Sequence, residues 1–170
     1  RFARTLRQCV TLADDLEFTV EANPETVTPP LIDALVEIGV NRLSIGAQSL
    51  HTPSLRRVDR PHTAEDIASA VAHARQAGFT NIGLDLIACL PGMSPSHWHE
   101  TLEGVTRLDI SHVSVYTLSI EPGTRLYRQH RSGRFSAPTS EEQTAALRTA
   151  IGCLTAAGFD RYEISNFARP

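Results

Sequence analysis

The stretch Val40-Asn41-Arg42-Leu43-Ser44-Ile45-Gly46-Ala47-Gln48-Ser49 decides the architecture. Arg42 to Ile45 alternates with the period of two that marks a strand, Gly46 lets the backbone bend, and Gln48 and Ser49 place polar groups just past the strand's end. The run Pro30 to Ile38 before it has helical spacing and stops on Gly39. A helix therefore feeds a strand whose carboxyl end is polar. In repeated α/β architecture ligands bind at that end, because the loops there differ from one another while the strands behind them form the scaffold. Gln48 and Ser49 have two readings, contact with a ligand or satisfaction of the turn backbone.

The same pattern extends in both directions. Phe2 to Leu12 has the apolar spacing of a helix. Glu17 to Glu21 reads as a strand, and Glu21-Ala22-Asn23-Pro24 as the turn after it, since the residue before proline is driven out of the helical region. Downstream, Ser49 to Arg60 reads as a loop with a short helical turn, and Thr63 caps a helix over Ala64 to Gln76 that closes on Ala77-Gly78-Phe79. Asn81 to Ile87 is apolar on both faces apart from Asp85, as expected of a strand covered by helices on both sides or closed inside a barrel. A charge in such a run is either paired in the core or turned toward a ligand at the strand's end, where Leu90-Pro91-Gly92 follows.

Ser94 or Ser96 caps a helix reaching about Leu108, and His112 to Leu118 forms the next strand, with Ser119-Ile120-Glu121-Pro122-Gly123-Thr124 as its carboxyl-end loop. Arg125 to Pro138 shows no clear period and reads as a surface excursion. Ser140-Glu141-Glu142-Gln143 has capping-box spacing and opens a helix that ends at Ala157-Gly158-Phe159. Arg161 to Ser165 reads as the final strand. The stops at Gly39, Gly78 and Gly158 recur at steps of about 40 residues or a multiple of that, the length of a βα unit with its loops. Polar residues at every strand end, instead of at one crossover crevice, favour a barrel over an open doubly wound sheet.

Composition narrows the chemistry. A net charge of -3 with interspersed signs and few aromatics leaves no basic face for nucleic acid. No apolar run approaches the roughly 18 residues of a transmembrane segment, and the first residues lack a signal peptide's apolar core, so the expected location is cytoplasmic. Cys9, Cys89 and Cys153 are odd in number and far apart, which suits a reducing compartment and offers neither a disulfide frame nor a metal knuckle. Cys89 reads as a small buried filler, with no basic neighbour in sequence to stabilise a thiolate. The seven histidines read as surface or core residues, with His97 and His99 on different sides of one helix.

Several segments resemble one family. Glu21-Ala22-Asn23-Pro24, Gly39 to Ser49, Asp59-Arg60-Pro61-His62, Asp85-Leu86-Ile87 with Leu90-Pro91-Gly92, Ser114-Val115-Tyr116, Glu121-Pro122-Gly123-Thr124 and Tyr162 to Ala168 follow its order. They are similar to the radical S-adenosylmethionine proteins of the oxygen-independent coproporphyrinogen III oxidase type and the related haem chaperones. The resemblance implies an α/β fold that is part of a (β/α) TIM-type barrel, with roughly five strands each preceded or followed by a helix. Residues 1–170 would be one partial barrel domain, truncated at both ends.

The resemblance also implies S-adenosylmethionine and a 4Fe–4S cluster at the carboxyl ends of the strands. Glu21, Gln48, Arg60, Asp85 and Ser119 fall where the family contacts S-adenosylmethionine. Carboxylates and amides suit ribose hydroxyls and the methionyl amine, and Arg60 suits a carboxylate. The Ser49 position, the Glu121–Thr124 loop and Tyr162 to Asn166 look like the chaperone branch, which binds haem and passes it to haem-accepting proteins. The alternative branch decarboxylates the propionates of coproporphyrinogen III. The family's Cys-x-x-x-Cys-x-x-Cys loop is absent from this chain, so no cluster ligand and no catalytic residue is assigned, and activity of this chain alone is not expected. A non-catalytic ligand-binding barrel module is the rival reading. An aldolase-like barrel would use a Schiff-base lysine, and the sequence contains no lysine.

Overall fold

The computed structural model describes residues 2–170. Helix α1 spans Phe2–Cys9, β1 Thr19–Ala22, a 3₁₀ turn Pro24–Thr26, α2 Pro29–Glu37, β2 Arg42–Gln48, α3 Thr52–Arg57 and α4 Ala64–Gln76. There follow β3 Asn81–Ala88, α5 Pro95–Thr106, β4 His112–Thr117, α6 Arg125–Arg131, α7 Ser140–Ala156, β5 Asp160–Arg161 and β6 Asn166–Ala168. The six strands form one open sheet in the order β1-β2-β3-β4-β6-β5, parallel from β1 to β4 and antiparallel across β4–β6 and β6–β5.

Strands laid down in sequence order with right-handed crossovers place all their helices on the same face. Leu43, Ile45, Ile82, Leu84, Val113 and Phe167 point to that face and are buried with Ile67 and Val71 of α4, Leu102 and Val105 of α5, and Leu154 of α7. The helices start where the chain supplies caps. Thr63 with Asp66, Ser94 with His97 and Thr139 with Glu142 each close a reciprocal capping box.

The opposite face is polar. In register across the sheet it presents Glu21 beside Ser44, Ser44 beside Gly83, and Asp85 beside Ser114, with Asn166 next to Ser114. This corrects the reading of β3 as apolar on both sides. Ile82, Leu84 and Leu86 are fully buried, whereas Asp85 and Ile87 on the other face are partly open. The sheet is open among the described residues, with β1 and β5 at its edges.

Four further differences have local causes. β2 continues through Gln48 instead of ending at Ile45, after a register shift against β3 between Ile45 and Gln48. Within the expected excursion Arg125 to Pro138, α6 is a helix capped by the Thr124 hydroxyl, which accepts the Tyr127 N–H at 3.1 Å. It buries no residue, so it has no apolar period to read. α7 is capped by Thr139, one residue before the expected box. Of the expected final strand, Arg161 to Ser165, Arg161 ends β5 and Tyr162 to Ser165 form the turn into β6. The Glu163 carboxylate accepts the Ser165 N–H at 3.0 Å and an Asn166 amide proton at 3.1 Å, and the Arg161 guanidinium donates to the Ile164 carbonyl at 2.9 Å. Side chains thus occupy the backbone groups that a ladder would have used.

The one-sided burial makes a direct prediction for β3. Leu84→Ala in the full-length protein loses about 2–5 kcal/mol of unfolding free energy, the usual cost of a large-to-small core change. Ile87→Ser, three positions on but on the open face, loses less than about 1.5 kcal/mol. Urea denaturation of the two variants beside the wild type checks the contrast; equal losses would contradict the one-sided packing.

Candidate functional site

The polar face forms a cleft of about 410 Å³ whose walls include Glu21, Ser44, Gln48, Asp85, Ile87 and Ser114. At its centre the Ser44 hydroxyl donates to Asp85 Oδ2 at 2.9 Å. Asp85 is therefore the outlier in its strand because it faces the cleft, with one carboxylate oxygen held by Ser44.

The upper end of the cleft is shaped by backbone strain. Gln48 has φ of 63°, a conformation that costs a side-chain-bearing residue about 1–3 kcal/mol. Its side chain folds back over Gly46, where an added Cβ would lie 2.9 Å from Gln48 Nε2 and 3.7 Å from Asn23 Oδ1. Gly46 thus leaves room for the Gln48 amide, which a Cβ would push aside, while Asn23 stays at ordinary contact distance. Asn23 Oδ1 in turn accepts a hydrogen bond from Arg60 Nη1 at 2.8 Å. Glu21, Gln48 and Asp85 hence share one cleft, and Arg60 is joined to its rim through Asn23. Ser119 stands apart beyond the end of β4, exposed, with its hydroxyl donating to the Glu121 carboxylate.

The lower end holds residues that the sequence reading did not place in a site. His112 is 7% exposed, and its Nε2 is hydrogen-bonded to the Tyr162 hydroxyl at 2.8 Å, while its Nδ1 has no hydrogen-bond partner. Burial, and then the nearby Arg42, push the imidazole below its ordinary pKa of 6.5 against the opposing pull of Asp85 and Glu17. The signal was present in the alternation of His112, Ser114 and Tyr116 with Val113 and Val115: one side of the strand is polar throughout.

A second, mostly apolar cavity of about 380 Å³ lies between the loop after β3 and the start of α7, walled by Cys89, Met93, Trp98, Phe135 and Pro138 among others. Burial, and then Glu142, push the Cys89 thiol upward, as suits a filler and not a nucleophile. His97 stacks on His51 at 3.8 Å between ring centroids, whereas His99 turns toward Cys153 Sγ at 3.4 Å, on another side of α5.

The model of the radical SAM superfamily matches residues 1–105. The chain belongs to the radical SAM superfamily. Among curated radical SAM relatives, it is 38% identical over 157 residues to the heme chaperone HemW of Bacillus subtilis, covering 92% of this chain and 41% of that protein. It is 37% identical to the mitochondrial radical S-adenosyl methionine domain-containing protein 1 of Danio rerio, covering 93% of this chain and 36% of that protein. The chain thus spans about two fifths of the length of the curated relatives it matches. Among solved structures, the Escherichia coli coproporphyrinogen III oxidase HemN, a radical SAM enzyme, superposes with a TM-score of 0.86 at 29% identity, covering 99% of this chain and 39% of that one. The archaeal Elp3 of Methanocaldococcus infernus shares the fold, with a TM-score of 0.74 at 22% identity over 79% of this chain and 32% of that one.

Radical SAM proteins bind S-adenosylmethionine and a 4Fe–4S cluster, and the two groups fare differently against the residues present. The cleft offers two carboxylates, an amide and a neighbouring guanidinium, the donor and acceptor set that an amino acid joined to a ribose needs. For the cluster, no group of three or more His, Cys, Asp or Glu side chains that could hold a metal ion occurs among the described residues; Cys9 ends α1, Cys89 lies in the loop after β3 and Cys153 is on α7. These thiols do not fit a cluster.

The His112 environment sets a pH dependence. Its folded pKa lies below the unfolded one, so its contribution to stability is complete above about pH 6.5 and is lost as pH falls through the folded value. The wild type accordingly unfolds at lower urea at pH 5 than at pH 7, and His112→Phe shows a smaller difference between the two. An unchanged pH difference in that variant would remove His112 as a source.

Proposed function

We infer that this chain forms the S-adenosylmethionine-binding part of a radical SAM barrel in a haem chaperone. The observation that supports the cofactor reading is the convergence of Glu21, Gln48 and Asp85 on one cleft, with Arg60 at its rim. Asp85 and Glu21 would receive the methionyl ammonium and the ribose hydroxyls, Gln48 would supply both a donor and an acceptor, and Arg60 would hold the methionyl carboxylate in a charge-assisted pair. Ser119, at the neighbouring strand end, is the fifth residue of the proposed set. Held beside a cluster that donates one electron, S-adenosylmethionine would supply radical chemistry. This chain's own residues bind and orient the cofactor.

The 170 residues make one partial barrel domain within a longer protein, a reading supported by the two-fifths coverage of the relatives and by the polar, partly open face of the sheet. The chaperone branch is favoured by the likeness to HemW of Bacillus subtilis, and implies haem as cargo and haem-accepting proteins as partners. A second reading, oxidation of coproporphyrinogen III, is supported by the likeness to the Escherichia coli enzyme over nearly the whole chain. Among the described residues no helix is long and apolar enough to cross a membrane. The three cysteines are free, which supports a cytoplasmic setting.

Titrating S-adenosylmethionine into the anaerobically reconstituted full-length protein tests the cofactor site. Asp85→Asn and Arg60→Ala each weaken binding by about 10- to 100-fold, corresponding to roughly 1.5–3 kcal/mol for a charge-assisted hydrogen bond, with the fold retained by circular dichroism. Unchanged affinity in both returns them to structural roles. Adding haem to the wild type and following its absorbance, beside an assay for decarboxylation of coproporphyrinogen III, separates the chaperone from the oxidase.

A further inference from the structure

The loops that carry the proposed cofactor contacts meet at one buried ring outside the cleft. His62, two residues after Arg60, is 1% exposed. Its Nε2 lies 3.0 Å from the Ala47 carbonyl oxygen. A carbonyl only accepts, so Nε2 carries a proton and donates it. That carbonyl belongs to the peptide unit whose nitrogen is Gln48's own, and the same oxygen also accepts the Ser49 N–H at 2.7 Å. The two bonds fix the peptide plane from which Gln48 enters its left-handed conformation. Strained backbone persists only where its surroundings over-determine it, and the His62 ring supplies one such restraint.

The other edge of the ring reaches the neighbouring loop. Nδ1 stands 3.3 Å from Glu25 Oε2, within ion-pair distance but not aligned as a hydrogen bond. Glu25 sits in the 3₁₀ turn that begins directly after Asn23, the residue holding Arg60. The end of β2 and the segment bearing Arg60 are therefore tied through one imidazole that does not line the cleft, with Glu25 of the turn after β1 beside it.

We propose that His62 is a positioning residue: through the Ala47 carbonyl it sets the strained strand end that aims Gln48, and as the buried anchor two residues after Arg60 it keeps that segment aligned with the strand end. This rests on the S-adenosylmethionine reading of the cleft, and it assigns a task to the one member of the Asp59-Arg60-Pro61-His62 motif that is fully enclosed. His62 itself touches no ligand. Its effect on binding passes through Gln48 and Arg60.

The test uses the full-length protein with two readouts, S-adenosylmethionine affinity by calorimetry and amide hydrogen exchange by mass spectrometry. His62→Gln places an amide N–H near the position of Nε2 and keeps donation to Ala47; His62→Asn is too short to do so. His62→Asn is expected to weaken binding about 10-fold and to speed exchange at residues 48 and 49 by a similar factor, while His62→Gln stays within about threefold of wild type in both. In a double-mutant cycle, His62→Asn adds less than about twofold to the loss caused by Gln48→Ala. Wild-type exchange and affinity in His62→Asn, or losses that multiply in the cycle, overturn the proposal. If His62→Asn does not fold, His62→Leu, which fills the buried site without a donor, takes its place: weaker binding with faster exchange at residues 48 and 49 supports the proposal, and no change in either overturns it. If Gln48→Ala leaves affinity unaltered, the cofactor reading falls, and the exchange result alone decides whether His62 holds the strand end.

Discussion

The structure depends on a single geometric constraint: β1 to β4, added in sequence order by right-handed crossovers, collect α2, α4 and α5 on the same side. The sheet then has one face that must be apolar and one that need not be. Leu43, Leu84 and Val113 serve the first, packed against α4, α5 and α7. Ser44, Asp85 and Ser114, their immediate neighbours in sequence, serve the second. An ionisable group in the central strand is affordable because it stands in a cleft with a hydroxyl at hydrogen-bond distance and not in the core.

Chemistry gathers at the carboxyl ends of these strands because the ladder stops there and side chains take over the backbone's connections. Gln48 shows the cost and the device. Its positive φ is unfavourable, Gly46 beside it lacks the Cβ that would collide with it, and His62 holds the preceding carbonyl. Asn23 is the common neighbour of Gly46 and Arg60. The rim is thus a small network in which each polar side chain fixes the next, and the precision of a binding site comes from such supporting contacts as much as from the groups that face the ligand.

Much of this was legible in the sequence because the local signals agreed. Helix stops at Gly39, Gly78 and Gly158, caps at Thr63 and Ser94, and alternation in Arg42 to Ile45 all marked βα units, and the motif segments resembled one family over almost the whole length. Glu21, Gln48 and Asp85, which line one cleft, stand out in the sequence as polar residues at the ends of apolar strands. What was missed had weaker local grammar. Helix α6 buries nothing and so has no periodic signature, and Tyr162 to Ser165 carries strand-forming residues whose backbone is claimed by Glu163 and Arg161. The polar side of β3 was obscured because Gly83 and Ile87 are not polar residues, so the face declares itself only beside Ser44 and Ser114. His62 and His112 looked like ordinary core or surface histidines, since a ring's task is set by contacts 15 and 50 residues away.

The division of each strand into alternating packing and chemical positions has an evolutionary side. Point substitutions on the open face alter recognition and leave the core alone, so new ligands are accessible by gradual change. Insertion or deletion of a single residue within β2, β3 or β4 is a different kind of event. A slip of one place turns Asp85 toward the helices and Leu84 toward water at the same stroke. A change of length is therefore better tolerated in the loops than within these strands, whose open face can change by replacement.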